Sequence, residues 1–134
     1  MEFMAITRPL PTEYAERIYN GKTVFVGKSY PRQAAPGDKF ILYESHGERA
    51  YTGWADIKTI EELKPSDIPR KYGKELIISP EELKEYAKNR QKMTIIELEN
   101  FEKFKTPVKP ERFVSISGKY IYKDEYEMIL DKKG

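Results

Sequence analysis

The 134-residue sequence has no cysteine, one histidine, one tryptophan and no apolar run longer than a few residues. Each absence excludes a class of function. Without cysteine there is no disulfide, thiol nucleophile or cysteine metal centre, which fits a reducing compartment or a hot one. The lone histidine, His46, stands in an expected turn before Gly47. Zinc needs several ligands at set spacing and finds no second histidine here, so no metal and no cofactor are expected. A Ser-His-Asp arrangement would have to be built on this turn residue, and no catalytic residue is assigned. No stretch has the length of a membrane span. Met1-Glu2-Phe3-Met4 lacks the basic start and apolar stretch of a signal peptide, so a cytoplasmic location without membrane contact is expected.

Charge is abundant: 34% of residues are Asp, Glu, Lys or Arg, Lys and Glu dominate, and the net charge is +2. That bias, with few Asn and Gln, resembles the composition of thermophile proteins, in which desolvating ion pairs costs less. The distribution of charge says more than the total. Arg17, Lys22, Lys28, Arg32 and Lys39 stand against Asp38 alone, and the stretch from Lys103 to Lys123 carries six cations against Glu111 alone. Glu81 to Glu102 is acidic between them. Such blocks predict a one-sided positive surface.

The pattern along the chain is α+β. Phe3 to Thr7 alternates as a strand stopped by Arg8-Pro9, and Thr12 is placed to cap a helix with Tyr14, Ile18 and Tyr19 inward. Asn20-Gly21 ends that helix. Strands are predicted over Thr23–Lys28, Lys39–Glu44 and Tyr51–Lys58. Both faces of Lys39–Glu44 are apolar, so it belongs in the middle of a sheet. Gly53 beside Trp54 marks a bulge that bends one. Pro65 to Tyr72 reads as a connector. Ser79-Pro80-Glu81-Glu82 carries the signature of a helix start, followed by a buried face of Leu83, Tyr86 and Ala87. Further strands are predicted over Met93–Phe104 and Phe113–Tyr122, the second interrupted at Gly118. Asp124 and Glu127 form an expected capping box for a last helix. No linker divides the chain, so residues 1–134 make one domain.

Ile6-Thr7-Arg8-Pro9, then Tyr14 through Gly21-Lys22-Thr23, then Gly37-Asp38 before a strand, then Gly53-Trp54-Ala55-Asp56-Ile57, resemble the PUA-like superfamily. Within it they are most similar to the ASCH type and its small uncharacterised archaeal members. The resemblance implies a β-barrel of five to six strands flanked by two to three helices. It also implies a cleft beside the Gly21-Lys22 turn that takes RNA or modified bases. The ASCH pattern has a glycine, a spacer, a lysine, then a glutamate and an arginine. Here Gly21 and Lys22 are adjacent. Phe25 stands at the glutamate position, Gly27 at the arginine position, and Lys28 follows.

An RNA or modified-nucleic-acid binding module, rather than an enzyme, is therefore the leading expectation. Lys22, Lys28, Arg32 and Arg8 are the candidate phosphate contacts, and Tyr30 the stacking partner. Trp54 and Tyr120 are candidate base-stacking residues, with packing as their competing role. Glu97 and Glu99 read as exposed strand residues. Two alternatives stand beside the leading one. The first is a small amidohydrolase acting on a modified nucleoside, implied by the resemblance, with Lys22 as its basic group. The second is a protein-interaction domain without a nucleic-acid role.

Overall fold

The computed structural model describes residues 3–111, 114 and 118–134. Its elements are β1 (Phe3–Leu10), α1 (Thr12–Tyr19), β2 (Val24–Gly27), β3 (Lys39–Glu44), β4 (Ala50–Leu63), α2 (Ile68–Tyr72), α3 (Pro80–Tyr86), β5 (Met93–Val108), β6 (Lys119–Tyr122) and α4 (Lys123–Lys132). The six strands form one sheet in the order β2-β5-β4-β3-β1-β6. All neighbours are antiparallel except β1 and β3, where Ile6 lies beside Phe40 and Leu42 beside Arg8. The predicted central strand, β3, lies between β4 and β1 as its two apolar faces require.

The sheet curls. In a flat sheet β2 and β3 would be three strand spacings apart, about 14 Å. Yet the rings of Phe25 on β2 and Phe40 on β3 lie 5.2 Å apart. One face of the curl holds Ile6, Phe40, Leu42, Ile57 and Ile96, closed at one end by Ala15 and Ile18 of α1. Outside it, Ile41, Tyr51, Trp54 and Ile121 pack against Ile129 of α4. On the other flank Val24, Val26 and Ile95 pack against Ile68, Leu76 and Leu83 from the long β4–β5 connection. Among the described residues the edge strands β2 and β6 do not pair with each other, which leaves a side opening in the barrel. Glu75–Ile77 covers the first part of the β2 edge, since Thr23 N donates to the Glu75 carbonyl and Ile77 N to the Val24 carbonyl. That pairing removes a free strand edge.

Gly53 does what its place in a strand predicts. The β3–β4 and β4–β5 registers both slip beside it. A Cβ at this position would lie 2.9 Å from the Glu102 carbonyl oxygen and from the Phe101 ring, so β5 crosses too closely for any side chain.

Several boundaries differ from the sequence expectation. β1 continues through Pro9 to Leu10, and among the described residues β6 pairs only as far as Thr7, so the missing proline N–H meets no described strand on that side. Pro11, not Thr12, precedes α1, and the Thr12 hydroxyl turns to Glu44 and the His46 carbonyl. The last helix starts at Lys123 after Tyr122, with no side-chain cap, so Asp124 and Glu127 do not form the expected box. β4 and β5 run on to Leu63 and Val108, where they continue to support each other. Of the strand predicted over Phe113–Tyr122, Lys119–Tyr122 is observed as β6. Arg112, Phe113 and Ser115–Ser117 lie outside the described residues.

The start of α3 matches its signature. Ser79 Oγ accepts from Glu82 N at 3.2 Å, and Glu82 Oε1 accepts from Ser79 N at 2.8 Å. Glu82 also ties α3 to α1, accepting from Arg17 at 2.6 Å and Tyr14 at 2.8 Å. Hydrogen bonds from Arg17, then from the Ser79 backbone, hold its pKa at about 2, below the ordinary 4.5. A depressed carboxylate contributes stability that is present above its unfolded pKa and is lost as pH falls through the folded one. The thermal midpoint of the wild type should therefore fall between pH 4.5 and about 2. Glu82→Gln should start lower and flatten that part of the profile, read by circular dichroism melts. The pair is about one-third exposed, so solvent screening keeps the effect modest. An unchanged profile in the variant would rule the link out.

A candidate nucleic-acid interface at the barrel opening

Arg8 is the unusual residue of β1. Side chains alternate along a strand, so Ile6, Arg8 and Leu10 point to one face. Ile6 and Leu10 belong to the barrel core, and Arg8 between them is half-buried. Its Nη1 donates to the Thr7 carbonyl at 3.1 Å, and among the described residues it pairs with no carboxylate. Burial pulls its pKa below the usual value, while the Tyr120 and Tyr86 hydroxyls pull the other way. Tyr120 lies beside Ile6 in the β1–β6 ladder, one step from Arg8 on the same face. Gly118 makes room for the guanidinium. With φ at +80°, a Cβ there would sit 2.1 Å from the Thr7 carbonyl oxygen and 2.9 Å from Arg8 Nη1. Only glycine fits.

Across the side opening stands the last residue of α3. Tyr86 is 37% exposed rather than buried as its helical spacing predicts. Lys28 Nζ lies 4.6 Å from the Tyr86 ring centroid. Arg90 Nη2 donates to the Lys28 carbonyl at 3.0 Å, which fixes the turn after α3 to the end of β2. An open groove of about 400 Å³ continues past Lys28 between Arg90, Lys92 and Glu62. The opening thus joins an inward-facing arginine, two tyrosines and three further cations, with Glu62 as the acid in the groove.

The residues singled out in the sequence are not all gathered here. Arg8, Lys28 and Tyr120 are. Lys22 precedes β2 and Lys28 follows it, which separates their backbones by about 20 Å of extended chain. The Lys22 ammonium donates to the Lys74 carbonyl. Tyr30 and Arg32 are exposed in the segment that follows Lys28. Trp54 is 5% exposed, stacks on Tyr126 at 5.6 Å, and donates its indole N–H to Glu102 at 2.8 Å. These are the contacts of a packed tryptophan. Phe25 and Gly27, where the ASCH pattern has its acid and arginine, are packing positions: Phe25 fills the barrel against Phe40 and its ring covers Gly27. Three cations of the basic segments, Arg17, Lys39 and Lys119, are held by Glu82, Asp56 and Glu125. The positive surface is accordingly narrower than the charge blocks predict. Tyr86 and Arg90 were not singled out, since the end of α3 and the turn after it lie far from β1 in sequence. The available signal was Arg8 itself, a charge at an inward position of an alternating strand.

Comparison with known proteins agrees with this architecture. The crystal structure of ASCH from Zymomonas mobilis superposes with a TM-score of 0.86 over 95% of this chain and 94% of that one, at 19% identity. Two point mutants of that protein superpose with TM-scores of 0.86 and 0.85. The shared fold is therefore of the ASCH type. At the sequence level, the uncharacterized protein MJECS03 of the archaeon Methanocaldococcus jannaschii is 36% identical over 106 residues, 70% of this chain and 98% of that protein. Residues 3–123 match the family described as a domain of unknown function, DUF365, and the chain belongs to that family.

Proposed function

We propose that the chain is a non-enzymatic binding module for RNA, or for another single-stranded or modified nucleic acid. This is the role implied by the PUA-like resemblance. The observation that carries the reading is Arg8, a half-buried guanidinium facing the barrel opening with no carboxylate partner among the described residues. Charges are rarely buried without a counter-charge, so an anion from outside is the natural complement. A phosphate accepts two parallel hydrogen bonds from a guanidinium, and a base stacks on an exposed tyrosine such as Tyr86. Lys28, Arg90 and Lys92 then hold the flanking backbone, which Tyr30 and Arg32 extend. Phe25 packs against Phe40 at the position where the ASCH pattern has its glutamate, which favours a binding surface over a site of bond cleavage.

The test is salt dependence. A fluorescein-labelled single-stranded RNA, titrated by anisotropy at several KCl concentrations, should bind more weakly as salt rises. For single strands each neutralised phosphate contributes about 0.7 to the log–log slope. Lys28→Ala with Arg90→Ala should therefore flatten the slope by about 1.4, whereas Lys22→Ala should leave it nearly unchanged. Absent or salt-independent binding would sink the reading, and so would an unaltered slope in the double variant.

A further inference from the structure

A second ionisable group faces inward at the end of the barrel. On β3 the series Phe40, Leu42, Glu44 shares the inner face, and Glu44, its last member, is only 6% exposed. The Tyr19 hydroxyl donates to Glu44 Oε2 at 2.6 Å, and the Thr12 hydroxyl to Oε1 at 3.2 Å. Thr52, itself buried, donates to the Tyr19 oxygen at 2.5 Å. Burial, and then the bond to Glu44, raise the Tyr19 pKa, while the Thr52 bond lowers it, as this direction of donation requires. The Thr52 and Tyr19 protons point along the chain toward the carboxylate, and the Thr12 proton is shared between Glu44 and the His46 carbonyl. Among the described residues no cation pairs with Glu44. A carboxylate buried to this degree and hydrogen-bonded only to neutral groups is under-compensated.

Glu44 lines a cavity of about 360 Å³, within the range of small-molecule sites. β5 forms another part of its wall and carries the opposite charge. Lys103 and Lys105 border the cavity, with Phe104 and Pro107 as its apolar surface. Lys103 Nζ stands 4.4 Å from the Tyr19 ring centroid, over the residue that bonds Glu44. Glu16 and Glu48 complete the lining as exposed residues. A simple anion would meet Glu44, and a simple cation would leave the two lysines unsatisfied. We infer that this cavity binds a small zwitterion, its ammonium against Glu44 and its anionic group against Lys103 and Lys105. The site shares no residue with the opening around Arg8 and stands or falls separately from nucleic-acid binding.

The test is an amide-resolved NMR titration of the full chain with glycine, 4-aminobutanoate, 6-aminohexanoate, n-butylamine and butanoate. At least one of the three zwitterions should shift Thr12, Tyr19, Glu44 and Thr52 saturably. The two singly charged analogues should bind about tenfold or more weakly, the loss of one charged contact. Lys103→Ala with Lys105→Ala changes only exposed side chains and keeps the fold. It should erase the advantage of the zwitterion over n-butylamine, and Glu44→Gln should abolish binding. The inference is overturned if no zwitterion gives saturable shifts, if a singly charged analogue binds as well, or if the double variant keeps the preference.

Discussion

Replacing Arg8 with alanine is expected to weaken binding of single-stranded RNA by roughly 10–100-fold while leaving the fold intact. The size follows from the loss of charge-assisted hydrogen bonds, about 1.5–3 kcal/mol, converted to an equilibrium ratio. The second half of the expectation is the sharper one. A structural arginine is held by a carboxylate, and its removal leaves that acid stranded. Arg8 has no such partner among the described residues, and burial opposes its charge. Arg8→Met, which keeps an unbranched stem in the same space, should therefore melt at or above the wild-type temperature and still lose affinity. Lysine supplies a point charge without the planar fork, so Arg8→Lys should recover only part of the binding. Anisotropy and thermal melts on the three variants decide the matter. Affinity within twofold of wild type together with a lowered melting point would make Arg8 a packing residue.

Phe40→Ala should produce the largest loss of stability. Phe40 is fully buried on the central strand and meets Phe25 from the far side of the curl. Removing a core phenylalanine costs about 3–5 kcal/mol, because the cavity adds to the lost transfer term. That is a large part of the 5–15 kcal/mol that holds a domain of this size together. The thermal midpoint should drop by roughly 10–20 °C, and the urea midpoint should fall with little change in slope. A loss below about 1 kcal/mol would mean that the two rings do not close the barrel. Because Phe25 occupies the position of the glutamate in the ASCH pattern, the same experiment asks what that substitution contributes. A charge has been replaced by half of an aromatic pair.

The parts of this fold that were legible in the sequence rest on local rules. Two apolar faces place β3 centrally, Gly53 marks the bend, and Ser79 with Glu82 sets the start of α3. The misplacements are of one kind, since Thr12 and Asp124 are good capping residues that other contacts overrode. Thr12 turned to Glu44, and α4 began two residues earlier, straight out of β6. The candidate site was legible only in fragments. Arg8 and Lys28 could be named, but nothing in the sequence brings α3 across the opening to put Tyr86 between them. Spacing placed Tyr86 on the buried face with Leu83 and Ala87, yet in the structure those two are buried and Tyr86 is exposed. The Glu44 cavity was not legible at all. It needs β3, α1, β4 and β5 at one point, and a glutamate closing a strand is unremarkable until those elements converge.

The pairing of β1 with β6 has a consequence for synthesis. Ile6 is made well before its ladder partner Tyr120. β1 therefore emerges with one neighbour pending until the C-terminal strand leaves the ribosome, and Arg8 lacks Tyr120 and Gly118 for the same interval. Contacts this distant in sequence slow folding into the millisecond-to-second range expected of non-local topologies. Trp54, the single tryptophan and a core residue, supplies the stopped-flow signal to follow it. The order of events is set by connectivity: the β3–β4 hairpin can pair early, and the side of the barrel next to Arg8 is completed only when β6 joins β1.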